Sequence, residues 1–478
     1  MNYKMIRYIL GYILLFETAF LAIPAITALV YRESAIYSIL ITMLICALTG
    51  GIMIISKPNN RTLYSKEGIV IVSLSWIVMS AFGALPLFFS GCTKTYIDAF
   101  FEIVSGFTTT GASILPAVED APRSMLIWRS FSNWIGGMGV LVFIMAFLPL
   151  SGANNMHIMK AESPGPSVSK LVPRVKTTAL ILYAIYFIMT LVLFILVLFG
   201  GMSGFEALCT AFSTAGTGGF GFRNDSFNSF NSYIIIVITV FMLLFSVNFT
   251  SYYLAFKGRI KDSLTSEVKW FFAVVFFSIA IISLNVHDQF DSLFEAVKHV
   301  AFTVASIIST CGFSTVDFNL WPVASKVVLL MIMCIGACAG STGGGIKISR
   351  VILFVKSVGR ELASMLHPKQ VKRVSIDGRP VENEVVRSVC IYLVCYVFVF
   401  FASVLLIAFD SNSFETAFSA VCACLNNIGP GFDAVGPYAN YAHFSDFSKL
   451  LLSFNMLTGR LELFPMLLLF SPSTWKKN

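Results

Sequence analysis

Ten long apolar stretches take up most of this chain, at roughly 5–31, 34–56, 68–90, 123–150, 177–200, 232–256, 269–286, 323–355, 385–409 and 447–470. A hydrocarbon core is crossed by about 20 apolar residues in a helix. Backbone polar groups in lipid must be satisfied within the element, so helices are the natural way to span it. Only 12% of the residues are charged, against about 25% in a soluble domain, and 57% are hydrophobic, with a mean hydropathy of +0.82. These values exclude a water-soluble core and predict a multi-span helical membrane protein. The basic start of the chain resembles a signal peptide, but its apolar run continues to Val30 and reads as a retained first span. The ten cysteines lie mostly inside apolar runs without a CxxC pair, which points to buried free thiols.

The net charge of +8 is a topology signal and does not call for nucleic acid. Basic residues gather at both termini and in the loops 57–67, 151–176, 257–269 and 345–387, together 24 of the 33 Lys and Arg. If ten spans alternate, all of these fall on one side, which the positive-inside rule makes the cytoplasm. The opposite connections hold semi-apolar stretches at 96–108, 204–216, 293–309 and 413–426, too short to cross a bilayer. Each runs into a polar, glycine-bearing segment. Irregular backbone at membrane depth is tolerated only inside protein or along a wet cavity, so these four connections read as re-entrant.

The four stretches are related: "FFEIVSGFTTTGAS", "ALCTAFSTAGTGGF", "AFTVASIISTCGFS" and "AVCACLNNIGPGF". They align on Gly111, Gly219, Gly312 and Gly429, spaced by 108, 93 and 117 residues. Ser105, Ser213 and Ser306 stand six residues before the glycine, with Ala423 in the fourth copy. Phe-Glu recurs upstream at Glu102, Glu206, Glu295 and Glu415, with a variable offset. Small residues can also mark close helix packing, but such motifs belong inside spans. The reading is an all-α integral membrane protein. Four pseudo-repeats of span–pore helix–filter–span surround one pore, and two additional N-terminal spans make ten in all. The units are 1–67 (the N-terminal pair), 68–176, 177–268, 269–384 (with a broken second span) and 385–478.

The pattern resembles the Trk/Ktr/HKT superfamily of potassium transporters, and over its whole length the TrkH-type subunit. "WRSFSNWIGGMGV" (128–140), "GACAGSTGGGIK" (336–347) and "NMLTGRLELFP" (455–465) are further family-like segments. The resemblance implies four non-identical repeats in one chain, akin to a tetrameric potassium channel, in a bacterial inner membrane. It also implies a homodimer working with a cytoplasmic nucleotide-binding regulatory ring of the TrkA type. The chain itself shows no nucleotide-binding domain. Inner-face basic residues would suit an acidic partner, although they also fix topology and meet anionic lipid.

A potassium ion passing a narrow filter exchanges its water for rings of backbone carbonyl oxygens. Glycine supplies the dihedrals this needs. The expected potassium donors are Thr109, Thr110 and Gly111; Thr217, Gly218 and Gly219; Thr310, Cys311 and Gly312; Asn427, Ile428 and Gly429. Because the backbone coordinates, Cys311 and Ile428 are acceptable there. Pore-helix C-termini aimed at the axis would favour a cation. In the resembling family, glycine in all four repeats goes with potassium, whereas serine in the first goes with sodium in plant members.

Gly336, Gly340, Gly343, Gly344 and Gly345 interrupt the span 323–355, and each costs a helix about 1 kcal/mol against alanine. The resemblance makes this an intramembrane gate loop beneath the filter. A phosphate-binding loop would need lysine directly after the last glycine, where Ile346 stands. Arg460, in the last span, should face the pore or pair, with Glu462 or a loop carbonyl as partner, because a charge there costs at least about 2.5 kcal/mol. It is expected to form an electrostatic barrier touching the glycine loop, the alternative being a helix tie. Arg129 and Asn133, spaced i, i+4, read as a structural hydrogen bond, and His157 as solvated. A solute symporter of inverted repeats and a membrane-embedded enzyme are the rival classes. The repeats here all run in the same direction, and no convergent acids, histidines or nucleophile are apparent.

Overall fold

The protein is described by a computed structural model covering residues 1–58, 64–139, 175–367 and 373–476. Most of the 151–176 loop and His157 lie outside the described residues. Within them the chain is helical apart from a two-residue β-hairpin pairing Ser375–Ile376 with Arg379–Pro380. Six helices are long and apolar enough to cross a membrane: Tyr3–Tyr31, Ile36–Ile55, Lys66–Phe89, Thr177–Phe199, Ser266–Gln289 and Asn383–Ile407. Their outer faces stay apolar where they leave the protein interior, as at Phe187, Ile188, Phe276, Phe277, Val394 and Phe398. That is the arrangement a lipid solvent allows and water does not.

Four short helices hang between the spans: Tyr96–Phe107, Gly204–Gly216, Leu293–Ile308 and Phe414–Leu425. Each begins at a hydroxyl that accepts a backbone N–H of the first turn: Thr95 from Asp98, Ser203 from Glu206, Ser292 from Glu295 and Ser413 from Thr416. Such caps satisfy donors that a helix start leaves orphaned. The carboxylates of Asp98 and Glu206 complete the box by accepting the N–H of the cap residue. The recurrent Phe-Glu pair is therefore not one position repeated. Glu206, Glu295 and Glu415 sit in the first turn, but Glu102 lies mid-helix, and Asp98 is its counterpart there.

The helix that leaves each glycine segment stops early, and this corrects the expected spans. Arg123–Met138 ends at Gly139 and Val323–Ile335 at Gly336, both with positive φ. Ser232–Phe245 turns by 92° into Phe249–Phe256, with Asn248 capping the second piece. Asp446–Arg460 ends just before Glu462 and Leu463, both with positive φ. Only the break at Gly336 was expected, whereas 123–150, 232–256 and 447–470 read as continuous, the part of 123–150 beyond Gly139 lying outside the described residues. At about 1.5 Å per residue, helices of 16, 14, 13 and 15 residues fall short of the roughly 30 Å of hydrocarbon.

Candidate functional site

The glycine segments begin as helix C-caps. In each copy one N–H just past the helix end reaches back five residues: Thr110 to Ser105 (2.8 Å), Gly218 to Ser213, Cys311 to Ser306 and Ile428 to Ala423 (2.9 Å each). The residue before it bonds three back: Thr109 to Gly106, Thr217 to Thr214, Thr310 to Ile307 and Asn427 to Cys424. This is the Schellman pair, which places one residue in the left-handed region, usually glycine. Here those residues are Thr109 (φ 56), Thr217 (φ 53), Thr310 (φ 61) and Asn427 (φ 57). Two residues on, Gly111 (φ 79), Gly219 (φ 67), Gly312 (φ 83) and Gly429 (φ 98) are left-handed again. Alternating hands turn successive carbonyls toward the same side, so each cap continues into a short run of aligned oxygens. A non-glycine residue in this region is strained by about 1–3 kcal/mol, and the same conformation recurs in all four repeats.

The four segments close on one another in chain order. A methyl built on Gly111 would strike the Gly218 carbonyl oxygen, one on Gly219 that of Cys311, one on Gly312 that of Ile428, and one on Gly429 that of Thr110. All four glycines line one cavity. The outgoing limbs are laced in the same order. Val118 N–H donates to Asn224 Oδ1 (2.9 Å), Phe227 N–H to the Ser314 carbonyl (2.9 Å), Asp433 N–H to Asn319 Oδ1 (3.1 Å) and Tyr441 N–H to the Ser113 carbonyl (2.8 Å). At the rim, the hydroxyls of Ser413 and Thr416 hold the Asp433 carboxyl below the usual carboxylate range.

Among the described residues, no hydrogen bond reaches the carbonyls of Thr109, Thr110, Gly111, Thr217, Gly218, Thr310, Cys311, Gly312, Asn427 or Ile428. Buried carbonyls are almost always paired. Eight of these ten carbonyls belong to buried residues, while Gly111 and Gly312 line the cavity.

The inner end is covered. Gly344 N–H donates to Thr310 Oγ1 at 2.6 Å, and Thr342 Oγ1 to the Phe245 carbonyl at 3.1 Å. Thus the 336–347 segment, holding Gly336, Gly340, Gly343, Gly344 and Gly345, packs under the third and fourth glycine segments. Lys347 Nζ bonds back to the Gly343 carbonyl. Arg460 ends its helix below the first segment. Its guanidinium donates to Thr342 O (2.7 Å), Gly136 O (2.5 Å), Gly137 O (2.7 Å) and Thr109 Oγ1 (3.2 Å). Glu462, weighed from the sequence as its partner, is paired with Arg350.

Other buried polar groups were not legible in the sequence. Arg129 and Asn133 do not form the expected mutual bond: Arg129 meets Glu102 at 2.7 Å, and Asn133 Nδ2 donates to Ser213 Oγ at 3.4 Å. Lys449 pairs with Asp98 at 2.6 Å, tying the last repeat to the first. Asn427 Nδ2 reaches Thr110 Oγ1 at 3.0 Å. The one available signal was the glycine alignment itself, which shows Glu102 out of step with the other Phe-Glu pairs.

The family model described as TrkH, cation transport protein, matches residues 35–477. The Trk system potassium uptake protein TrkH of Salmonella typhimurium is 35% identical over 487 residues, covering all of both chains. The Trk system potassium uptake protein TrkG of Escherichia coli K12 is 32% identical, covering 99% of each. The crystal structure of the potassium transporter TrkH from Vibrio parahaemolyticus superimposes with a TM-score of 0.89 at 32% identity, again over the whole of both chains.

Proposed function

The chain belongs to the TrkH family of cation transport proteins, and from that premise we propose that it takes up potassium through a pore formed by its four glycine segments. One observation carries this reading. Four left-handed–glycine turns meet in a closed order around one cavity, with ten of their carbonyls unbonded among the described residues and that of Gly429 held by the Tyr441 hydroxyl. An ion entering there exchanges water for main-chain oxygens. Four short helices end at the site, and the negative ends of their dipoles favour a cation. Segments 109–111, 217–219, 310–312 and 427–429 act as the filter. They belong to repeats at 68–176, 177–268, 269–384 and 385–478, with the N-terminal pair at 1–67.

The segment 336–347 and Arg460 act as the gate, sealing the inner end until the loop moves. Flow follows the electrochemical gradient of the ion. The chain sits in a bacterial inner membrane as a homodimer, with both termini and the basic loops in the cytoplasm. There it docks a nucleotide-binding regulatory ring and binds no nucleotide itself.

The test is growth of potassium-uptake-deficient cells at low potassium, with fluxes of potassium, rubidium and sodium in reconstituted vesicles. Growth with potassium and rubidium flux above sodium supports the reading. A folded, inserted protein that moves no potassium overturns it.

A further inference from the structure

The outgoing limbs of the four segments are not held in the same way. In the third quadrant Ser306 Oγ donates to the Phe313 carbonyl at 2.6 Å, and in the fourth Ser419 Oγ bonds the Phe432 carbonyl and N–H at 3.2 and 2.8 Å. Each limb there is pinned by a hydroxyl from its own pore helix. Among the described residues, the first two quadrants show no such hydroxyl bond to the limb. Ser105 Oγ is buried without a partner, and Ser213 Oγ accepts from Asn133.

In their place stands an ion pair. Glu102, fully buried in the first pore helix, accepts from Ser113 Oγ (2.9 Å), Ile114 N–H (2.8 Å) and Arg129 Nε (2.7 Å). Arg129, 1% exposed, also donates Nη2 to Ser113 Oγ at 3.1 Å. Its guanidinium carbon lies 4.2 Å from the centre of the Phe220 ring, and Nη1 points to the Gly221 carbonyl at 3.5 Å. Ser113 and Phe220 follow Gly111 and Gly219 by two residues and one. One planar, rigid cation therefore touches both outgoing limbs. Counted nine residues before the glycine, the counterparts of Glu102 are Thr210, Thr303 and Ala420, none of them charged.

We propose that Glu102 and Arg129 are positioning residues that set the spacing between the first and second filter quadrants, and through it the preference for potassium over sodium. This rests on the filter reading above. A buried ion pair is poor evidence of stability, since apolar residues often do as well. A fork locked by three partners and an aromatic face fixes geometry, and spacing is what a carbonyl ring needs to hold the larger ion while disfavouring the smaller.

The experiment measures the rubidium-to-sodium uptake ratio in vesicles for the full chain and for Arg129→Lys and Ser113→Ala. Detergent melting curves establish that each variant is folded. Arg129→Lys keeps the charge but loses the fork, and the ratio should fall about tenfold, the factor of roughly one charge-assisted hydrogen bond. Ser113→Ala removes only the shared hydroxyl, leaves the Arg129–Glu102 contact in place, and should lower it about threefold. Folded variants that keep the parent ratio overturn the proposal while leaving the filter reading standing. A parent chain that does not discriminate overturns the filter reading. If Arg129→Lys fails to fold, Ser113→Ala decides alone.

Discussion

Replacing Arg460 by alanine should raise potassium flux. Of the guanidinium hydrogen bonds named above, the one to the Thr342 carbonyl, at 2.7 Å, reaches the 336–347 loop. The others hold Gly136, Gly137 and Thr109, which belong to the first repeat. A bond from a charged donor contributes about 1.5–3 kcal/mol. Losing it would shift the balance between covered and open states about 10- to 150-fold toward open, if it is made only in the covered state. Removing a positive charge beneath the filter acts in the same direction, because it lowers the barrier to a passing cation. The assay is rubidium uptake into vesicles carrying parent, Arg460→Ala and Arg460→Lys proteins at matched amounts. Lysine keeps the charge and one short-range donor, so it should fall between the other two. A folded Arg460→Ala protein with unchanged or lower flux would refute the idea that this arginine holds the loop shut.

Thr310→Val removes the acceptor of the Gly344 N–H while keeping the β-branched shape. Flux should rise about 2- to 12-fold in the same assay, the range for a neutral hydrogen bond. Gly219→Ala adds a methyl against the Cys311 carbonyl at a left-handed position, strained by about 1–2 kcal/mol before the clash. Its potassium-to-sodium flux ratio should collapse toward one. Lys449→Met leaves the buried Asp98 carboxylate unpaired and should destabilise the fold by about 3–5 kcal/mol in denaturant melts, with the double variant Asp98→Asn/Lys449→Met recovering most of that.

Much of the site was visible in the sequence because its constraints are local. A short helix followed by a glycine turn is specified by neighbours in the chain. The four copies could therefore be aligned on Gly111, Gly219, Gly312 and Gly429 without knowing where they meet. The glycine-dense 336–347 segment announced its break in the same way, since so many glycines cannot hold a helix. The breaks after Phe245 and Arg460 were hidden. "SVN" and "LEL" are not strong helix breakers: after the first, Asn248 caps the next helix, and in the second Glu462 and Leu463 turn left-handed where Glu462 pairs with Arg350. The Phe-Glu repeat misled for a related reason: two adjacent letters recur, but only three of the four glutamates occupy the same turn of a helix.

The sequence by itself determined that this chain is a helical, membrane-type protein and that four related glycine stretches lie along it, because hydropathy and backbone dihedrals are set within a few residues. Only the tertiary structure decided that Gly111 lies against Gly218, that Arg460 bridges Thr342 to the end of the first inner helix, and that Arg129 serves two limbs at once. Those contacts join residues about a hundred or more positions apart. Their partners are chosen by the closing of four units around one axis, a condition that no stretch of the chain carries alone.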